Sequence, residues 1–254
     1  MKLWENYAKF SEHRGQLVVK LLKEQLKGGR VLDIGAGHGG TSLVLAHGGF
    51  SVTAIDLKLL YLQQLKKRGS KVRVCVMRAQ NLGFRDESFN AVILQDLIEH
   101  TPDPEKTISE MSRVLKKGGV FYMSTPNRLS PLNLISDPHW GLPFLAPLSK
   151  RTASFLVTKV YRREKGRRED SASLLSLFKI RKILKRQNLL FHLVNRRVVQ
   201  HVLMDPYSVL CKEWHLKLLR RSKPGRSLLS LVNDDFGIFN YFFNPTWYIL
   251  GRKP

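Results

Sequence analysis

The sequence predicts an α/β domain built on a doubly wound, mainly parallel sheet. Short β-rich runs alternate with helical patterns between residues 30 and 125, and this alternation is typical of βαβ units. The first predicted strand leads into RVLDIGAGHGG (30–40), which contains four glycines. Glycines ahead of a helix let a ligand approach free backbone N–H groups. The chain of 254 residues is long enough for one large domain with its own core.

The elements follow from periodicity and from turn residues. Leucines 17, 21, 22 and 26 recur at helical spacing and predict an opening helix. Four further helices are predicted over residues 41–46, 57–67, 104–115 and 174–187, and the glycine pair of LKKGG (115–119) is expected to end the helix at 104–115 with a left-handed residue. The predicted strands are VLDI (31–34), SVTAID (51–56), KVRVCVM (71–77), AVILQ (91–95), VFYMST (120–125), LLFHLVNRRVV (189–199) and NPTWYILGRKP (244–254).

Two stretches interrupt this alternation in the second half of the chain. Residues 128–172 and 200–240 are therefore predicted to be insertions in a single domain whose core is formed by residues 1–127, 173–199 and 241–254. Ligands of open α/β sheets bind outside the carboxyl ends of the strands. Insertions that emerge there are expected to cover a substrate pocket, and a basic helical run is expected over residues 153–170.

The charge of the chain is strongly positive and unevenly distributed. The formal net charge is +23, of which +16 lies in residues 126–254. Such a field favours an anionic membrane surface, nucleic acid or an anionic small molecule, or else is a solvated surface without a partner. The cluster KVYRREKGRR (159–168) follows apolar FLV and favours lipid headgroups. Nucleic acid is disfavoured because the basic residues lack an interleaved aromatic RNA-binding motif.

Compartment and redox state follow from what the sequence contains. Cys75 and Cys211 show no metal-type spacing, so reduced thiols are expected. The first residues lack the apolar region of a signal peptide, and no charge-free window is long enough for a transmembrane helix. These features predict a cytoplasmic protein, at most peripheral at a membrane.

The glycine loop fits two kinds of cofactor. Gly35, Gly37 and Gly40 match the dinucleotide pattern G-x-G-x-x-G, and Asp56 stands where a ribose-binding acid belongs. Asp33 would repel a pyrophosphate but would favour the sulfonium and ammonium of S-adenosylmethionine. The alternative for Asp33 is a hydrogen bond to nearby loop N–H groups.

On these residues the sequence resembles the class I S-adenosylmethionine-dependent methyltransferases, especially the group that includes ubiquinone-biosynthesis O-methyltransferases. VLDIGAGHGG resembles their first motif, AIDL (54–57) resembles their second-strand acid, and residues 78–127 follow their pattern nearly throughout. The resemblance implies a Rossmann-like seven-stranded sheet with the last strand antiparallel. It also implies that S-adenosylmethionine is the cofactor. The implied reaction transfers its methyl group to a small or lipophilic metabolite, mainly to an oxygen atom.

The resemblance also implies roles for individual residues. The acid Asp56 would accept both ribose hydroxyls, and Leu57 would lie against the adenine. Relatives often carry acidic residues at the positions of Arg78 and Gln80. This chain therefore lacks the carboxylate that would contact the adenine amino group. The other implied cofactor contacts are Gly35, Ala36 and Gly37 in the loop, Ala79, Gln80 and Asn81 in an adenine-binding turn, and Gln95 beside the methionine part.

Methyl transfer from a sulfonium needs positioning and, for a hydroxyl acceptor, removal of a proton. His139 in DPHWGLPF is the candidate base, because histidine titrates near neutrality; its alternative role is to fix a loop. Trp140 and Phe144 are expected to pack within the cover.

A metal site is the other chemistry considered. Asp96, Glu99 and His100 share one face of a helical turn and resemble an acid-x-x-Glu-His stretch that binds a divalent cation in some quinone O-methyltransferases. Many relatives keep Glu-His without a metal, so no metal is predicted. Alternative functions are RNA or protein methylation, suggested by the charge, and a cofactor-binding regulator without catalysis. The oligomeric state is not predicted.

Overall fold

The computed structural model describes residues 7–68, 71–161, 172–204 and 234–254. These residues form a seven-stranded sheet flanked by helices, as predicted. The strands are β1 (Arg30–Ile34), β2 (Ser51–Asp56), β3 (Arg73–Val76), β4 (Phe89–Gln95), β5 (Leu115–Pro126), β6 (Leu190–Leu193) and β7 (Thr246–Arg252). The helices are α1 (Tyr7–Lys23), α2 (Gly40–His47), α3 (Leu59–Lys67), α4 (Pro104–Val114), α5 (Pro131–Ile135), α6 (Lys150–Phe155), α7 (Leu177–Arg186), α8 (Asn195–Met204) and α9 (Ile238–Phe242).

The strand order is β3-β2-β1-β4-β5-β7-β6. Strands β1 to β5 are parallel, whereas β7 runs antiparallel between β5 and β6. The predicted antiparallel last strand is therefore confirmed. Because β1 to β5 are parallel, the carboxyl ends of β1, β2, β4 and β5 lie at one edge of the sheet. The strand order reverses between β1 and β4, and sheets of this kind bind ligands at that point.

Apolar side chains bury both faces of the sheet. Helices α4 and α7 pack on one face through residues such as Ile108, Met111 and Ile180. Helices α1 and α2 pack on the other face through Leu17, Leu21 and their neighbours. Since both faces are covered, the central strands are almost wholly apolar, as is usual for parallel sheets.

Helix α1 lies unusually close to the beginning of α2. A Cβ atom added to Gly15 would lie 2.8 Å from the Cα atom of Thr41, so only glycine allows this approach. The hydroxyl oxygen of Thr41 lies 3.4 Å from the carbonyl oxygen of Ser11. The contact brings the middle of α1 to the ligand-binding edge of the sheet.

Two local predictions are wrong. Helix α4 ends at Val114, and Leu115 already has extended backbone angles, so LKKGG opens β5 instead of ending the helix. Gly118 has its positive φ of 70° within that strand, and its N–H bonds to the carbonyl oxygen of Lys253. The predicted strand at 189–199 ends at Leu193, and α8 follows, because the Asn195 side chain bonds to the backbone N–H of Tyr248 and turns the chain.

The cover is described in part. Residues 128–161 contain α5, α6 and a π-helical turn at Leu156–Val160, so the described part of the basic run at 153–170 is helical. Residues 162–171 and 205–233, with most of KVYRREKGRR and with Cys211, lie outside the described residues. The side-chain amide of Asn127 donates to the carbonyl oxygens of Tyr241 and Asn244 and so joins β5 to the segment around α9. Within the described ranges, none of the helices is both long and apolar enough to cross a membrane.

Candidate active site

The glycine loop between β1 and α2 forms the floor of the candidate site. The N–H groups of Gly35 and Ala36 both donate to the carbonyl oxygen of Ile55, at 2.8 and 2.9 Å. Gly35, Gly37 and Gly39 all have positive φ angles, which glycine adopts without strain. A Cβ atom on Gly37 would meet no heavy atom within 4 Å. The loop is thus held from below and leaves open space above Gly37, where a ligand can lie.

Asp56 is fixed at the carboxyl end of β2, beside this space. One carboxylate oxygen accepts the N–H of Gly37 at 2.8 Å, and the other accepts the N–H of Lys58 at 2.9 Å. A carboxylate has about four acceptor positions, so two remain for the hydroxyls of a ribose. The next residue, Leu57, exposes 60% of its surface and offers an apolar face for a base. Both residues fit the contacts that the resemblance implies.

Asp33 lies deeper than a ligand-binding group usually does. Its residue is 2% exposed, and its carboxylate accepts a hydrogen bond from the Ser42 hydroxyl at 2.5 Å. Burial raises the pKa of Asp33 to about 6. In this structure Asp33 stabilises the connection of β1 to α2 through Ser42, and its direct contact with a cofactor charge stays a prediction.

The turn after β3 lies beside Asp56, because the Met77 N–H donates to the carbonyl oxygen of Asp56. Ala79 is buried, whereas Gln80 is half-buried and Asn81 is exposed. The N–H of Asn81 closes the turn on the carbonyl oxygen of Arg78. The following residues are held by α4: its Glu110 carboxylate accepts the Leu82 N–H, and its Arg113 guanidinium bonds to the carbonyl oxygens of residues 82 and 84.

The end of β4 carries a charged contact that sequence reasoning missed. The Arg14 guanidinium, from α1, donates to the Asp96 carboxylate at 2.5 Å and to the Ser124 hydroxyl at 3.3 Å. Asp96 has a positive φ of 49°, which is uncommon outside glycine. Burial opposes ionisation of Asp96, but the charge and hydrogen bonds of Arg14 outweigh it and hold the pKa of Asp96 below its usual value. The neighbouring Gln95 accepts the Thr41 hydroxyl at 2.6 Å.

A signal for Arg14 is present in the sequence. Arg14, Leu17, Val18 and Leu21 are spaced as one helix face, and the three apolar members are buried. A cation that shares the apolar face of a helix is rarely buried without a partner, so this spacing predicts an acidic partner in the core.

Glu99 is a buried carboxylate just beyond β4. It is 2% exposed, and one of its oxygens accepts the Thr125 hydroxyl at 2.9 Å. The other oxygen, Oε1, is buried without a hydrogen-bond partner. Burial, followed by the nearby charge of Asp96, raises the pKa of Glu99 to about 8.

His139 reaches this carboxylate from the cover. The rings of His139 and His100 meet edge to face with their centroids 4.9 Å apart. The potential ligand atoms of Glu99, His100 and His139 all lie within 4.8 Å of one another. Two imidazoles and a carboxylate are a donor set that could hold a divalent cation. This set differs from the one considered in the sequence, because Asp96 is engaged by Arg14 and His139 takes its place.

His139 also borders a recess inside the cover. The recess is small, about 20 Å³, and its lining includes Asp137, His139, Trp140, Leu145 and Leu148. Trp140 packs against the buried cluster of Leu142, Leu145 and Val157, as expected. The expectation for Phe144 is wrong: this residue is 70% exposed and is not part of the cluster, and its φ angle is positive, at 60°.

Comparisons with known proteins find relatives over part of the chain. The methyltransferase domain family matches residues 32–123, which hold the loop, Asp56 and the 78–82 turn but not His139. The ubiquinone biosynthesis O-methyltransferase of Xanthomonas oryzae pv. oryzae (strain PXO99A) is 41% identical over 108 residues, which are 41% of this chain and 45% of that protein. Its counterpart in Xanthomonas campestris pv. campestris (strain B100) is 40% identical over the same length. The chain thus spans less than half the length of these curated relatives.

Solved structures share the fold over nearly the whole chain. A S-adenosylmethionine-dependent methyltransferase from Mesorhizobium loti superposes with a TM-score of 0.61 at 14% identity, covering 93% of this chain and 96% of that one. Phosphoethanolamine N-methyltransferase 2 of Haemonchus contortus, in complex with S-adenosyl-L-methionine, gives 0.56 at 19% identity, covering 94% of this chain and 52% of that one. At such identities the likeness shows a common fold.

Proposed function

We propose that this chain, whose residues 32–123 match the methyltransferase domain family, transfers a methyl group from S-adenosylmethionine to an oxygen of a small or lipophilic acceptor. The observation that carries this proposal is the open space above Gly37 with the Asp56 carboxylate fixed beside it. Oxygen is favoured as the methylated atom by the names of the Xanthomonas relatives.

The residues of the loop and its neighbours fit the cofactor. Asp56 would accept the ribose hydroxyls, Leu57 and the turn formed by Ala79, Gln80 and Asn81 would border the adenine, and Gln95 would lie toward the methionine part. Gly35 and Ala36 would bring the backbone close to the ligand. When bound, S-adenosylmethionine supplies a methyl group that its sulfonium makes electrophilic.

We assign proton removal to His139. An acceptor hydroxyl must lose its proton as its oxygen takes up the methyl group, and a neutral imidazole nitrogen of His139 would accept that proton. Its position between the cover recess and His100 supports this role. The Glu99 carboxylate lies within 4.8 Å of both histidines, and a carboxylate near an imidazole favours its taking up a proton.

The acceptor and the place of reaction are part of the proposal. The cover, residues 128–172 and 200–240, would choose the acceptor, because the family match ends before it. We expect a lipophilic acceptor, because the apolar side chains of Trp140, Leu145 and Leu148 lie close to His139. Such a molecule is met most readily at a membrane, and the +16 charge of residues 126–254 favours an anionic surface. A cytoplasmic location is consistent with Cys75, which is a free thiol.

The test is transfer of label from radioactive S-adenosylmethionine to a fractionated cell extract. The proposal expects label in the lipid or small-molecule fraction as a base-stable methyl ether. A matched reaction with Asp56→Ala should lose most of the label. Label in RNA or protein would contradict the proposed acceptor and favour the alternative enzymes, and binding of the cofactor without transfer to any fraction would favour a regulator.

A further inference from the structure

The described first part of the cover, residues 128–161, exposes large apolar side chains to solvent; this stretch is called the cover segment below. Leu132 and Ile135 project from α5, and Phe155 and Val160 follow on α6 and the turn after it. Ile135 is 68% exposed and Phe155 is 59% exposed. Solvent-facing apolar groups gathered on one segment mark an interaction surface more often than scattered ones do.

Phe144 is held in this exposed position by the backbone. Its φ angle of 60° is unfavourable for a bulky side chain. Its N–H donates to the carbonyl oxygen of Leu134 at 2.6 Å, and the Asp137 N–H donates to that of Leu142. These bonds fasten the loop against α5, so Phe144 stands beside the exposed residues of that helix.

The charged side chains that the cover segment exposes to solvent are all basic. It contains four basic residues and one acidic residue, Asp137. Asp137 is 5% exposed, and its carboxylate accepts the N–H groups of His139 and Trp140. Arg151 and Lys159 are exposed and flank Phe155 at four-residue spacing. No carboxylate of this segment faces solvent, and basic side chains beside apolar ones are typical of a helix that lies in a membrane interface.

We infer that the cover segment is the face by which this protein attaches to an anionic lipid membrane. Its apolar side chains would enter the headgroup region, and Arg151 and Lys159 would contact lipid phosphates. The inference rests on the proposed function in one respect: a lipophilic acceptor would be met at that surface, close to His139 in the same segment.

Other occupants fit these residues less well. Phe144 and Phe155 could stack on nucleic acid bases, but Leu132, Ile135 and Val160 are aliphatic and could not. A second copy of the chain, docked symmetrically, would bring Arg151 and Lys159 against the same cations. A lipid surface satisfies both the apolar and the basic groups.

The experiment is sedimentation of the full chain with vesicles of phosphatidylcholine, alone or with about 30 mol % phosphatidylglycerol. The wild type should bind the anionic vesicles about tenfold more strongly, and binding should weaken between about 0.05 and 0.5 M salt. The double variant Ile135→Ser, Phe155→Ser should bind the anionic vesicles at least about fivefold more weakly. Circular dichroism and binding of S-adenosylmethionine should be unchanged, because both side chains are exposed.

Phe178→Ser is the matched control. Phe178 is 67% exposed on α7, beside the exposed Lys179 and Lys182, but lies outside the cover segment. Its loss should leave vesicle binding unchanged. Equal weakening by Phe178→Ser, equal binding to both lipids, or no weakening in the double variant would overturn the inference. S-adenosylmethionine binding without vesicle binding overturns this inference alone, whereas vesicle binding without cofactor binding contradicts the proposed function and leaves this inference standing.

Discussion

The two sides of the candidate site are built differently. On the cofactor side, the fold itself fixes each carboxylate: Asp33 accepts the Ser42 hydroxyl, and Asp56 accepts the N–H of Gly37. On the acceptor side, His139 meets His100, and one oxygen of Glu99 is buried without a partner. The cofactor side lies within the family match at residues 32–123, and the cover lies outside it. The difference teaches that Glu99 and His100 belong, like Asp33 and Asp56, to the part of the chain that the family model matches, whereas His139 comes from outside it.

The largest effect is expected from the acceptor side. His139→Gln should lower kcat about 10²- to 10⁴-fold, because proton removal is lost, and should leave the Kd for S-adenosylmethionine unchanged. His192→Gln, on the edge strand β6, is the control and should keep full activity. Single-turnover methyl transfer and calorimetry measure the two quantities. A His139→Gln enzyme with normal kcat would show that the histidine serves only the loop.

A smaller effect is expected where α1 meets the cofactor side. Arg14→Met removes the partner of the half-buried Asp96 and should lower the free energy of unfolding by about 2–3 kcal/mol. The control is Arg68→Met, which breaks the exposed ion pair with Glu12 and should cost less than about 1 kcal/mol. Urea denaturation measures both. Equal losses in the two variants would mean that the Arg14 contact is no stronger than a surface pair.

Asp33 should make the cofactor side sensitive to pH. Its folded pKa of about 6 lies above the ordinary value of 3.8, so the folded state binds more protons between these values. The free energy of unfolding should therefore contain a contribution from Asp33 that falls as pH rises from about 4 to about 6, on the order of 1–2 kcal/mol. Asp33→Asn lacks this contribution. Parallel stability profiles of the two proteins across that range would contradict the prediction.

Much of the fold could be predicted because the central strands are apolar runs between clear turn residues. The LKKGG error arose because a glycine pair after a helix resembles a helix end, whereas here the N–H of Gly118 pairs with Lys253 from the far end of the chain. Likewise, Asn195 ends β6 through a contact with Tyr248. Such contacts join residues that are distant in sequence, so local patterns do not reveal them.

Those parts of the site whose contacts join residues close in sequence could be predicted, whereas contacts between distant residues could not. The glycine loop and Asp56 are linked by the hydrogen bond from the Gly37 N–H to the Asp56 carboxylate, 19 positions apart in sequence. Arg14 and Asp96 meet across 82 positions of sequence, and His139 meets His100 only through the fold of an insertion. The sequence analysis named His139 as the candidate base, but it did not predict the contact between the His139 and His100 rings.

The central claim is that the cofactor side binds S-adenosylmethionine through Asp56. Isothermal titration of the wild type and of Asp56→Ala with S-adenosylmethionine, and of the wild type with NAD, tests it most directly. We expect binding of S-adenosylmethionine, no binding of NAD, and a loss of about 1.5–3 kcal/mol in Asp56→Ala as charge-assisted hydrogen bonds to the ribose disappear. Binding of NAD by the wild type, or an unchanged affinity for S-adenosylmethionine in Asp56→Ala, would contradict the account.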